Sequence, residues 1–162
     1  LFSAVGILIA NGQKVQVTCI GRADSGRQRV EKMAHAAGVS GAVTFLDPVP
    51  QAELVSLYNS HDVLVLPSYN EAIGMVVPEA MACGIPTITS DTVGANVYVK
   101  NGETGFVFKT ENVLELSNAI QKISDKEILE KMGAAARKHV HAHHRFEIGQ
   151  QRFLQALNLN VD

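Results

Sequence analysis

The chain predicts an α/β domain built on a doubly wound, mostly parallel sheet. Three observations predict it. Strand-like segments alternate with helix-like ones along the whole sequence. Residues 62–67, DVLVLP, hold an apolar run stopped by proline, the pattern of a central parallel strand covered on both faces. No linker rich in Pro, Gly or Ser, no repeat and no low-complexity tract interrupts the 162 residues, which fit one domain, 1–162.

Each element follows from local pattern. Leu1, Ala4, Val5, Leu8 and Ile9 recur at helical spacing, ended by Asn11-Gly12, so 1–12 is a helix. KVQVTCI, 14–20, alternates and is β-branched, as a strand requires. The turn GRADSGRQ follows, then a polar helix over 27–37 closed by Gly38. AVTFL, 42–46, is a second strand, and 51–60 a helix with Leu54, Leu57 and Tyr58 on one face. After the strand at 62–67 comes a loop to Gly74 and a helix to about Cys83. PTITS, 86–90, and the end of GETGFVF, 102–108, are the last two strands. Helices are predicted over 111–123, 126–140 and about 144–157. A sheet of this kind ordinarily opens on a strand, often a central one. This chain opens on a helix, so a first strand and its loop are expected to precede Leu1.

Composition excludes several classes. Nearly half the residues are hydrophobic, enough for a sizeable core at this length, and the formal charge is −2. There is no basic excess, and the few aromatics are not interleaved with basic residues, so no nucleic-acid partner is expected. No apolar run approaches the ~20 residues that span a bilayer. Membrane contact is not encoded in this stretch. Cys19 and Cys83 lie far apart, without metal-ligand spacing. They read as buried thiols of a reducing compartment, and the expected location is cytoplasmic.

The stretch 67–84, PSYNEAIGMVVPEAMACG, carries the chemistry. It leaves the carboxyl end of the 62–67 strand, where ligands bind in open α/β sheets. A helix starting near Gly74 or Met75 presents unpaired N–H groups and a positive dipole end, which suits phosphate. Gly74 has no Cβ to hinder close approach. Pro78 in the first turn costs little. Glu71 precedes this end and Glu79 lies about one turn inside the helix. Two carboxylates do not suit direct contact with a phosphate; their task is to accept hydrogen bonds from hydroxyls on either side of it. A nucleotide sugar has that layout, with Glu79 on the ribose diol and Glu71 facing the sugar. On the residues alone a blander assignment stands beside it, with Glu71 a solvated loop residue and Glu79 a partner of the helix dipole.

PSYNEAIGMVVPEAMACGIPTITSD resembles the signature of retaining GT-B glycosyltransferases, the large family that includes bacterial mannosyl-, glucosyl- and N-acetylglucosaminyltransferases. The family pattern runs PS, a loop, E, two residues, G, four residues, EAMA, G, P. The resemblance extends through VQVTCIG, VTFLDPVPQAELVSLYNSHDVLVLPS, NGETGFVF and ARKHVHAHHRFEIGQQRFLQAL, where Phe146 falls at the usual aromatic position. It implies a Rossmann-like C-terminal half of the GT-B fold. By the same resemblance, Glu79 binds the donor ribose and Glu71 acts catalytically, contacting or electrostatically supporting the transferred sugar. Backbone N–H groups at Gly74, Met75 and Val76 hold the diphosphate, Val49 lies at the nucleobase, and Gly21-Arg22 lies close to base and diphosphate. The implied substrate is a UDP-, GDP- or ADP-linked sugar, with no cofactor and no metal. The family's phosphate-clamping Arg and Lys follow its first strand, and its acceptor domain lies N-terminal. Both are expected before Leu1, so these 162 residues alone are expected not to catalyse transfer. The chain departs from the pattern at Ile73, Asp47, Val93 and Val97, which stand where the family commonly has Phe, Gly, Gly and Glu. Two alternatives are a GT-B epimerase or phosphorylase and a nucleotide-binding module without catalysis.

Other features argue weakly. HVHAHH, 139–144, holds four of the six histidines, but no Cys or carboxylate nearby completes a zinc site, so it is expected to be a polar helix face. GRADSG is not the dinucleotide fingerprint G-x-G-x-x-G. Arg22, Arg27 and Arg29 could touch phosphate or simply be solvated, and Met75 and Met81 are expected in the core.

Overall fold

The computed structural model describes residues 1–144; the helix expected at about 144–157, with Phe146, lies outside the described residues except for His144. In order the elements are α1 (Phe2–Ala10), β1 (Val17–Ile20), α2 (Ser25–Ala36), β2 (Val43–Leu46), α3 (Gln51–Asn59), β3 (Leu64–Leu66), α4 (Val76–Ala82), β4 (Thr87–Ser90), β5 (Gly105–Phe108), α5 (Val113–Ile123) and α6 (Lys126–His143). Short 3-10 turns occupy Ser40–Ala42 and Gly94–Tyr98. Every predicted strand within the described residues is present, and so is every helix.

All pairings between strands are parallel, and they form two sheets: β1 with β2, and β3–β4–β5. A helix crosses between consecutive strands from β1 to β4, as parallel neighbours require. The strand at 62–67 is therefore not central. β3 lies at one edge of its sheet and its three residues are only half-buried, whereas all four residues of β4 are buried. An apolar run specifies surroundings on both faces; it does not say whether both edges have a partner.

Helices cover both faces of the three-stranded sheet. On one side Ala4 and Leu8 of α1 meet Leu116, Ile120 and Ile123 of α5 over Ile88 and Phe108. On the other, Val77 and Met81 of α4 pack with Ala136 and Val140 of α6 beneath Val93 and Ala95. Phe2 and Val5 of α1 continue to the small sheet with Ala34 of α2. Met81 is fully buried, but Met75 is not a core residue; it is exposed, because it is the N-cap of α4 and lies ahead of the packed face.

α2 begins two residues before the predicted start. Asp24 is its N-cap and accepts from the N–H groups of Gly26 and Arg27 at 2.9 and 3.2 Å. The expected start at residue 27 treated GRADSG as turn, but the cap residue sets the boundary. α6 runs three residues beyond the predicted 140, to His143.

Candidate functional site at the carboxyl ends of the strands

The loops after β1, β2 and β3 bring the sequence-predicted residues to the carboxyl ends of the strands. Gly21 and Arg22 follow β1 and are exposed; Gly21 N–H donates to the Leu46 carbonyl at 3.1 Å, tying the ends of β1 and β2 together. Val49 follows β2 and is half-buried. Arg27 is committed to structure: it contacts Asp47 at 2.8 Å, Glu31 at 3.0 Å and the Phe45 carbonyl at 3.2 Å. With that fork engaged, it holds the start of α2 against the end of β2. Arg22 remains exposed at the same edge.

After β3 the chain turns sharply through Glu71 to Gly74. Glu71 makes an isolated parallel bridge with Val93, and its carbonyl accepts the Gly94 N–H at 2.8 Å. A side chain at Gly94 would strike the Ala72 carbonyl. Gly74 is buried with φ 59°, a conformation that costs an L-residue about 1–2 kcal/mol. A Cβ there would lie 2.8 Å from Ala95 Cβ, 3.1 Å from Leu66 Cδ2 and 3.3 Å from Glu71 Cγ. Gly74 is thus required by backbone conformation and by protein packing, in addition to any close ligand.

The carboxylates have distinct partners. Glu71 Oε1 accepts the Gly74 N–H at 3.3 Å, so it engages one of the amides expected to face a diphosphate. Glu79, half-buried and one turn inside α4, accepts from the Tyr58 hydroxyl at Oε2, 3.1 Å. Burial, then the Glu79 charge and this hydrogen bond, push the Tyr58 phenol well above the ordinary tyrosine range. A carboxylate offers about four acceptor positions, so one such bond leaves capacity for a hydroxyl ligand. Sequence reasoning placed Tyr58 on the face of α3 and missed its bond to Glu79; 21 residues of separation across two elements obey no local spacing rule. Met75, the N-cap of α4, and Val76, its first residue, are exposed beside Gly74.

Hydroxyl contacts brace this edge. Ser90 Oγ donates to the Ser68 carbonyl, Thr92 and Thr110 hydroxyls meet at 2.9 Å, and Asp91 Oδ1 accepts from Thr110 N–H and Oγ1 at 2.8 and 2.6 Å. The Thr110 bonds hold the Asp91 carboxyl below its ordinary range. The ends of β3, β4 and β5 are therefore cross-linked by side chains. Val97, where the family signature commonly has Glu, is exposed in the turn that packs against Gly74 through Ala95.

The histidines of 139–144 gather with Tyr98. His139 lies 4.9 Å from the His143 ring and 5.2 Å from that of His144, and Tyr98 packs edge-on to His144 at 4.8 Å. Among the described residues no group of three His, Cys, Asp or Glu side chains is placed to hold a metal ion. Cys19 and Cys83 are free, and both are half-buried rather than fully buried. Among the described residues no helix is long and apolar enough to cross a membrane.

Parallel strands, crossover helices and a loop-and-helix site at the carboxyl edge define an α/β domain of the Rossmann-like kind found in the C-terminal half of GT-B glycosyltransferases. The family of glycosyl transferases group 1 matches residues 1–139, and the chain belongs to it. A D-inositol 3-phosphate glycosyltransferase of Streptomyces bingchenggensis is 36% identical over 113 residues, covering 69% of this chain and 25% of that protein. Sucrose-phosphate synthase from Thermosynechococcus elongatus superposes with a TM-score of 0.84 at 29% identity, over 97% of this chain and 41% of that one. Anabaena HepE in complex with UDP has the same fold, with a TM-score of 0.77 at 24% identity over 98% of this chain and 44% of its own. The chain thus spans about a quarter of the length of such curated relatives.

Proposed function

We propose that this chain is the donor-binding domain of a retaining glycosyltransferase that moves a sugar from a nucleotide-diphosphate sugar to an acceptor held by another part of the protein. The observation that carries the proposal is the arrangement of Glu71, Gly74 and Glu79 around one turn at the carboxyl end of β3, in a chain of this family. Glu79, steadied by Tyr58, accepts from the ribose hydroxyls. Glu71 supports the transferred sugar, and donor binding exchanges its bond to Gly74 for contacts with the ligand. The amides of Gly74, Met75 and Val76 receive the diphosphate, Val49 borders the base, and Gly21-Arg22 lie near base and diphosphate. Charge that develops on the leaving diphosphate is met by fixed N–H dipoles and positive side chains, with no metal or cofactor. Enclosure of donor and acceptor in one cleft supplies the proximity term. UDP in a protein of the same fold makes uridine the first base to test.

Titration calorimetry of the intact protein with UDP-, GDP- and ADP-sugars tests the proposal. One of them is expected to bind, and Glu79→Ala to weaken it about tenfold or more, the loss of a charged hydrogen-bond acceptor. Binding of none, with Glu79→Ala indistinguishable from the parent, would favour a non-catalytic module.

A further inference from the structure

The turn Gly94–Tyr98 touches the site twice. Gly94 N–H donates to the Glu71 carbonyl at 2.8 Å, and Ala95 Cβ occupies the space beside Gly74 that a side chain there would need. A Cβ at Gly94 would strike the Ala72 carbonyl, so the turn meets the Glu71 loop backbone to backbone. Yet no side-chain bond caps the start of this turn. Its ends are closed by Asn96 N–H on the Val93 carbonyl at 3.2 Å and Val99 N–H on the Asn96 carbonyl at 3.0 Å. A 3-10 segment of five residues has poor bond geometry and does not hold a fixed place by its own bonds.

One buried bond ties the turn to the sheet. Thr89 Oγ1 donates to Asn96 Oδ1 at 2.6 Å. Thr89 is fully buried, paired with Leu66 of β3 on one side and Val107 of β5 on the other. Its hydroxyl is therefore presented by a strand fixed along both edges. Burial of Val93 and Ala95 with Val77 and Met81 sets how deep the turn lies, but apolar burial has no direction. The Thr89–Asn96 bond supplies the direction. It sets where the turn stands along the sheet, and with it the Gly94 amide.

We infer that Thr89 and Asn96 are a positioning pair for Glu71, acting through Gly94 and touching no substrate themselves. The inference rests on the donor-binding role proposed above. Thr89 fixes Asn96, Asn96 fixes the turn, and the Gly94 N–H fixes the Glu71 carbonyl. The Glu71 carboxylate, which accepts the Gly74 N–H, is thereby held at the sugar side of the site. Glu79 has separate support, from Tyr58 on α3 and from the packing of α4 against α6. The pair thus governs the sugar side and leaves the ribose side in place. Its loss is expected to slow the chemical step while donor affinity stays nearly constant. A displacement of about 1 Å at a reacting group costs about a hundredfold in rate, and a bond two links away should cost part of that.

The test uses the intact protein with UDP-, GDP- and ADP-linked glucose, mannose and N-acetylglucosamine. Turnover is read as nucleoside diphosphate released with water as acceptor. The bond from the anomeric carbon to the diphosphate breaks, a bond to the water oxygen forms, and the water proton passes to solvent. Thr89→Val and Asn96→Ala are each expected to lower kcat at least about tenfold, with donor KM within about twofold of the parent. Asn96 is half-buried, so Asn96→Ala carries the test should Thr89→Val not fold. The double variant should lose about as much as the larger single loss, because both changes remove one bond. Thr89→Ser keeps the hydroxyl and should retain kcat within about threefold. Exchange of the Gly94 amide should be about tenfold faster in Thr89→Val. Unchanged kcat or unchanged Gly94 exchange in the folded variants, additive losses in the double variant, or a raised KM with kcat intact would overturn the inference and leave the donor role standing. Release from none of these donors by the parent would overturn the donor role, and this inference with it.

Discussion

Gly74→Ala isolates the packing at the centre of the site. The glycine has φ 59°, and a methyl group would meet Ala95 Cβ at 2.8 Å and Leu66 Cδ2 at 3.1 Å. Ala95 is fully buried and has no side-chain freedom with which to retreat. Two costs add: about 1–2 kcal/mol for an L-residue in the left-handed region, and about 1–3 kcal/mol for forcing a methyl into a packed interior. A control separates them. Gly12 has φ 82° and nothing within 4 Å of its would-be Cβ, so Gly12→Ala bears the conformational term alone. Urea denaturation at unchanged m-value reads both losses. Gly74→Ala is expected to lose about 2–5 kcal/mol and Gly12→Ala no more than about 2. At this chain length each kcal/mol lowers Tm by about 2–4 °C. Equal losses in the two variants would refute the close-approach argument and leave Gly74 a turn glycine like any other.

Two further predictions concern ionisable partners. Tyr58→Phe removes the donor to Glu79 Oε2 and is expected to destabilise by about 1 kcal/mol, read by denaturation, and, if Glu79 takes the proposed donor, to weaken nucleotide-sugar binding in the intact protein. Because the folded phenol titrates above the unfolded one, the parent's stability is complete below about pH 10 and falls as pH rises beyond it, a fall that Tyr58→Phe should reduce. His139 has the opposite dependence. Burial first, then Lys100, His144 and His143, lower its pKa, opposed by Glu103. Its Nδ1 is buried without a hydrogen-bond partner. The unfolded ring therefore protonates before the folded one, so stability is complete above about pH 6.5 and declines as pH falls below it. Thermal melts from pH 7.5 to 5 should show a smaller decline in His139→Phe; an unchanged decline would assign the effect to other groups.

Local order in the sequence made most of the fold legible. β-branched runs and helical apolar spacing are properties of neighbours in the chain, so α1 through α6 and all five strands could be placed within a few residues. Two helix starts that moved, those of α2 and α5, did so through single capping residues, Asp24 and Asn112, whose side chains satisfy the first amides. The signature from Glu71 to Gly84 could be read because the turn, the helix start and both carboxylates lie in one continuous stretch.

What the sequence determined by itself was the class of domain, the parallel sense of its strands, and the turn around Gly74 at the end of β3. Each is dictated by periodicity or by residue types acting over a few positions. Only the tertiary structure decided that Tyr58 holds Glu79, that Arg27 is tied to Asp47 and the Phe45 carbonyl, and that Met75 is exposed while Met81 is buried. It also decided that the strands form two sheets, with β3 at the edge of its own. The physical reason is common to all of these. They depend on which groups meet after the chain has crossed from one element to another, and one-dimensional spacing does not record those meetings.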